Sequence, residues 1–367
     1  MGKNMEYETI IREQLNSMNL ENLEELADGS QDSLQIIDTT TVDGIINGLL
    51  NGQPMFDSEK ILNNILELFL IEIRSAILVA CEILIVCIII GLLNGMSNSF
   101  GNKTVSSLGT MICSIVIIAL CIGTFYQTYD SCSETIDIMT TTMEVLLPIM
   151  IPLLISMGCI SSGTIMDPVI IGAVTGFSAI MQHVVIPLVF LSAIFVLINS
   201  ITEKNYISKL AVFLRKAALF ITGLTITIFS GITAIQGIIT KSADGVLINT
   251  ARFSIDNFIP IIGRFAADSL EMVIGCLGLI KSAVGIIGII TIISFIALPI
   301  IKILAIAAIY KITAIAAEPI TNKNISDSLN EIGTAAITMT VVLASSALMF
   351  LVFITTIMAM GGGIWNS

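Results

Sequence analysis

The chain reads as all-α, a multi-pass integral membrane protein of about eight transmembrane helices, and three observations lead there. Of its 367 residues, 55% are apolar and 12% are charged, too little polarity to clothe a water-facing surface. The mean hydropathy of +0.97 arises from long runs without any charge, which are the mark of membrane spans. Charge is also unevenly placed: residues 1–74 hold 14 Asp/Glu against 4 Lys/Arg, a balance of −10, and the remaining 293 residues hold −2.

The N-terminal region, 1–74, is therefore an acidic and partly amphipathic segment, a poor partner for nucleic acid or for an anionic membrane surface. Within it, Ile11, Leu15, Met18 and Leu26 recur at near-helical spacing over 5–28, and Asp28-Gly29-Ser30 ends that helix. After the turn-rich Asn51-Gly52-Gln53-Pro54, Ser58 caps a further helix with Glu59 in its first turn. Its apolar residues Ile61, Ile65, Leu68, Phe69 and Ile73 form a face suited to the membrane interface.

Residues 75–367 form the polytopic domain. Its first crossing, 75–94, is twenty residues interrupted only by Glu82. At about 1.5 Å per residue it spans about 30 Å of hydrocarbon. The second, 106–126, has no charge, and the third, 145–160, carries Pro148 and Pro152, which favour a bend. Residues 164–200 are long for one helix and short for two. A turn at Gln182-His183 divides them into crossings at 164–181 and 184–200, and a re-entrant pair is the alternative. Crossings at 217–240, 283–301 with an extension to 317, and 335–360 complete the set, and 241–282 is an amphipathic connector.

Lysine and arginine resist translocation, so they set the orientation. The 95–105 loop has Lys103, and 201–216 has Lys204, Lys209, Arg215 and Lys216 against Glu203. Both are cytoplasmic in this reading. The 127–144 loop, with Asp130, Glu134, Asp137 and Glu144 and no base, is external. Eight crossings then place both termini outside, and Met1–Ser58 contains no apolar stretch long enough to act as a secretory signal.

Few residues could carry chemistry. Glu82, eighth in the first crossing, is either a pore-lining or ion-coupling group or a neutral carboxyl bonded to a neighbouring helix. Asp167, before Pro168, fits a helix N-terminus; Lys302, near a crossing end, fits a side chain reaching for the interface. His183, the single histidine, fits a turn and has no second histidine with which to hold a metal. Gly172 and Gly176 form a GxxxG, a spacing that lets helices approach and that suits a homo-oligomer contact. In the connector, Arg252/Asp256 and Arg264/Asp268 stand at i, i+4 and form a solvated face.

The seven cysteines contain no CxxC pair and read as small packing residues. No phosphate loop, nucleophile elbow, HExxH or dinucleotide fingerprint is present, so the expectation is a protein that is not an enzyme and has no cofactor.

Several segments together resemble the stage III sporulation protein AE family of endospore-forming bacteria. They are VIPLVFLSAI (185–194), ITEKNYISKLAVFLRK (201–216), IQGIITKSADGV (235–246), NFIPIIGR (257–264) and PIIKILAIAAIYK (299–311), with polar residues such as Lys241, Asp244 and Arg264 making the match specific. The resemblance runs from about residue 75 to the end. It implies a membrane component of the channel complex between mother cell and forespore, in the mother-cell membrane around the forespore after engulfment. Its implied partners are a secretion-type ATPase, further small membrane proteins and ring-forming proteins. Members usually begin with a secretory signal, so the expected external N-terminal segment implies a leader already removed. In that setting Lys241, Asp244, Arg252, Asp256 and Arg264 mark a docking stretch. A small-molecule or ion transporter acting alone is the competing reading, favoured by the prolines and by Glu82.

Overall fold

The structure is a computed structural model and describes residues 58–100, 103–159, 171–201, 207–258 and 263–360. The amphipathic helix expected at 5–28 and the Asp167 helix start lie outside the described residues. Among the described residues, six helical segments form three consecutive hairpins. They are α1 (Ser58–Phe100), α2 (Lys103–Ser156), α3 (171–201), α4 (Ser208–Phe258), α5 (Gly263–Ala317) and α6 (Lys323–Ala359).

Six stretches among the described residues are long and apolar enough to cross a membrane: Leu62–Leu93, Leu108–Ser156, Ile171–Ser200, Ser208–Gln236, Met272–Ala317 and Lys323–Ala359. Eight crossings were expected, and two expected breaks account for the difference. The acidic 127–144 segment is not a loop but the middle of α2, joining the expected second and third crossings into one helix of 54 residues. Its charges do not break the helix because they share one face. Asp130, Glu134, Asp137 and Glu144 are exposed, and Cys132, Ile136, Met139 and Met143 are buried opposite them. Neither Pro148 nor Pro152 ends the helix.

The second break, at Gln182-His183, is a single π-helical turn, Met181–Val185, and the helix continues through it into Ile186–Ile201. The extra residue per turn disturbs the backbone locally without reversing it. The expected 241–282 connector is likewise helical on both sides, in the C-terminal part of α4 and the N-terminal part of α5. The proposed boundary between residues 74 and 75 falls within α1.

α5 and α6 form the centre and are the most deeply enclosed of the candidate spans. α1 and α2 pack on α5, while α3 and α4 pack on α6. Close approach needs small residues. A Cβ at Gly91 would stand 2.6 Å from the Ile320 carbonyl oxygen, and one at Gly333 would stand 3.1 Å from the Ala307 carbonyl oxygen. Hydroxyls within the spans are satisfied in their own helices: Thr128, Thr142, Thr222, Thr340 and Ser346 each donate to the carbonyl four residues earlier. That is how polar side chains tolerate a bilayer.

α2 stops cleanly. Gly158 takes a left-handed φ of 86°, its N–H donates to the Ile155 carbonyl, and the Cys159 N–H donates to the Leu154 carbonyl. This is a Schellman cap, with Cys159 and Leu154 both buried beneath it.

Candidate functional site

Two lysines on α5 fix a length scale. Between Lys281 and Lys302 lie twenty residues without a charge, about 30 Å of helix and about one hydrocarbon thickness. Lys281, only 2% exposed, donates from Nζ to the Met360 carbonyl at the end of α6. A cation at a helix C-terminus meets the negative end of the helix dipole. The sequence assigned Lys281 to a water-facing connector; the structure buries it. Its signal was a lone cation in an apolar run.

Lys302 is half-buried and lines a cleft of about 70 Å³ between α1, α2 and α5, together with Glu72, Thr124, Gln127 and Tyr310. Tyr310, 2% exposed, makes no hydrogen bond of ordinary geometry through its hydroxyl; Thr124 and Cys121 are its polar neighbours. The Thr124 hydroxyl is committed to the Leu120 carbonyl at 3.0 Å. Nearer the α5–α6 turn, Lys311 Nζ donates to Asn330 Oδ1 and Thr334 Oγ1, each at 3.3 Å. Arg215 Nη2 donates to Glu331 Oε2 at 2.7 Å beside a polar cleft of about 210 Å³ lined by Asn199, Asn324, Asp327 and Ser328. Arg215, expected in a loop, thus lies in α4 and ties it to α6.

The outward face of α2 is polar. Gln127, Asp130, Glu134, Asp137, Thr141, Glu144 and Pro148 are all exposed and follow one another at alternating spacings of three and four. The same helix lies against α5 at Gly288, where a Cβ would meet Leu146, and at Gly278, where it would meet Met157. The acidic residues therefore run beside the charge-free stretch of α5. Pro148 has no N–H, so the Glu144 carbonyl on that face lacks its intrahelical donor; Pro152 does the same to the Pro148 carbonyl.

The remaining sequence candidates scatter. Glu82 is exposed on α1, outside the Lys302 cleft, and His183 is exposed in the π-turn, anchored next door by Gln182 Nε2 donating to Ser133 Oγ at 3.1 Å. Gly172 and Gly176 face open space, so their GxxxG joins no helices among the described residues. The backbone places Lys241, Asp244, Arg252 and Asp256 on α4 and Arg264 on α5; their side chains lie outside the described part.

No solved structure matches the chain. The family model for stage III sporulation protein AE matches residues 40–361. The curated stage III sporulation protein AE of Bacillus subtilis (strain 168) is 30% identical over 318 residues, covering 87% of this chain and 80% of that protein. The chain accordingly belongs to the stage III sporulation protein AE family.

Proposed function

We propose that this protein is a membrane subunit of the channel complex that joins mother cell and forespore after engulfment, seated in the mother-cell membrane around the forespore. Membership in a sporulation family supports the setting. The observation that carries the role of subunit, rather than self-sufficient permease, is the outward surface. Its acidic face on α2 lies at the depth of the charge-free stretch of α5, where lipid is a poor neighbour for carboxylates. A protein built to work within an assembly has other surfaces to offer that face.

In this reading the hairpin junctions set the orientation. Lys103 and Lys323 open α2 and α6 at the α1–α2 and α5–α6 turns, and in sequence Lys204 falls between α3 and α4, so the three successive hairpins turn at basic junctions. That basic end is cytoplasmic and both termini are external, as the expected eight crossings also had it. The Lys241–Arg264 stretch is then external and available to ring-forming partners, while the secretion-type ATPase meets the basic end. No catalytic step is assigned to the chain.

The test is complementation. A spore-former lacking its own family member, supplied with this chain, recovers a late forespore reporter after engulfment. Absence of recovery despite membrane insertion, together with solute uptake by the purified protein in liposomes, would replace this reading with the transporter.

A further inference from the structure

Three apolar runs end at the Lys302 cleft. On α5 the charge-free run 282–301 stops at Lys302; on α1 the run 75–94, broken only by Glu82, begins just past Glu72 and Arg74; on α2 the charge-free run 104–129 stops before Asp130. Glu72, Gln127 and Lys302 line the same cleft, so these ends share one level. From the cleft α1 rises to Gly91, which meets Ile320 of α5, and Gly109 of α2 meets Leu93. The α1 and α2 runs therefore lie on one side of the cleft and the 282–301 run on the other. Each side measures about 30 Å, one hydrocarbon thickness. A bilayer centred on the cleft would hold Glu72, Arg74, Asp130 and Lys302 near its midplane, the most costly depth for a charge. Hydrocarbon accordingly ends at the cleft, whichever side it covers.

At this edge the cleft is polar within and open to the side. Ser75 of α1 and Gln127 of α2 are exposed at its rim, while Ala76, Ile83, Ile306 and Tyr310 behind them are buried. Leu78 and Tyr126, close to the rim in the same two helices, are exposed, so lipid stands at the opening. Lys302 and Glu72 are both half-buried, and neither has an ion-pair or hydrogen-bond partner among the described residues. An ammonium and a carboxylate thus face one space without neutralising each other. At its back, the Tyr310 hydroxyl is buried and has no partner of ordinary geometry among the described residues. The volume of about 70 Å³ holds about five waters, enough for a small polar group and too little for an acyl chain.

We infer that this cleft binds the headgroup of a phospholipid that carries a primary ammonium beside its phosphate. The phosphate accepts from the Lys302 ammonium, a compact cation suited to phosphate, and the lipid ammonium donates to the Glu72 carboxylate. Only a ligand with both charges satisfies both side chains; a purely anionic headgroup leaves Glu72 unpaired and repelled. Gln127 and the Tyr310 hydroxyl supply further polar contacts. The acyl chains stay outside, along the exposed apolar faces of α1 and α2. Such a site needs no other protein, so it stands whether or not the chain works in the proposed complex.

The test uses the purified full chain in mild detergent, supplied in turn with phosphatidylethanolamine, phosphatidylglycerol and phosphatidylcholine of identical chains and read by native mass spectrometry. The wild type retains one phosphatidylethanolamine about tenfold better than either of the others, because phosphatidylglycerol lacks the ammonium and phosphatidylcholine lacks its N–H donors. Lys302→Met and Glu72→Gln each lower that retention about tenfold, and Tyr310→Phe lowers it about threefold. Glu82→Gln, on α1 outside the cleft, leaves it unchanged. Equal retention of phosphatidylglycerol, or retention unmoved by Glu72→Gln, overturns the inference. Equally tight binding of glycerophosphoethanolamine, the same headgroup without chains, overturns it too and makes the ligand a soluble zwitterion. The ranking of the three lipids by the wild type needs no substitution, so a variant that fails to fold leaves the inference open to refutation. Failed complementation in the spore-former does not touch these readouts and counts only against the role in the complex.

Discussion

Arg215 and Glu331, 116 residues apart, meet at 2.7 Å and join α4 to α6 at the basic end of the bundle. Arg215 also donates from Nη1 to the Glu331 carbonyl at 3.4 Å. With side chains 12% and 36% exposed, the pair is only partly shielded from solvent. Its coupling in a double-mutant cycle of Arg215→Ala and Glu331→Ala is therefore about 1 kcal/mol after discounting for screening. Denaturant unfolding in mild detergent measures it. Additive losses would mean that the pair contributes nothing to holding the helices.

Lys281 is a stronger anchor. Lys281→Ala removes both a long buried stem and the cation at the end of α6, and it costs about 2–4 kcal/mol. The same unfolding assay reads the loss, and chymotrypsin, which has sites near the C-terminus such as Trp365 where trypsin has none after Lys323, should cut there sooner in the variant. A change below about 0.5 kcal/mol would place Lys281 in solvent, where the sequence first put it.

Two glycines are fixed by space and by backbone. Gly91→Ala forces its Cβ onto the Ile320 carbonyl, a backbone atom that cannot swing aside, and destabilises by about 1–3 kcal/mol. Gly158→Ala strains the left-handed cap of α2 and costs about 1 kcal/mol. Gly172→Ala and Gly176→Ala, which meet nothing within 4 Å among the described residues, leave the melting temperature of the isolated chain unchanged.

Glu82 is exposed and takes no part in the buried core, so Glu82→Gln changes the stability of the single chain by less than about 0.5 kcal/mol. Any larger effect of this substitution is expected in assembly.

Much of this was legible from residues alone. The charge-free runs gave the membrane class. The polar residues Lys241, Asp244 and Arg264 carried the resemblance to the matched family. What failed was the treatment of charge as a loop signal. Asp130, Glu134, Asp137 and Glu144 repeat at helical spacing among buried Cys132, Ile136 and Met139, and that periodicity was the available sign that 127–144 continues a helix. Gln182-His183 did mark a backbone irregularity, yet composition does not distinguish a π-turn from a reversal. Long-range pairs such as Arg215 with Glu331 leave no local trace, and the depth of α1 relative to α5 depends on packing at Gly91 that only the fold reveals.

The continuity of α2 through its acidic stretch underlies the six-helix architecture of the described residues. Hydrogen–deuterium exchange over 127–144, in the full chain reconstituted in nanodiscs, tests it most directly. One helix predicts amides protected at least ~100-fold over an open chain, comparable with 108–126, because each backbone bond stays closed even where the side chain is wet. Exchange at the rate of an unstructured loop across 127–144 would restore two separate crossings and contradict the account.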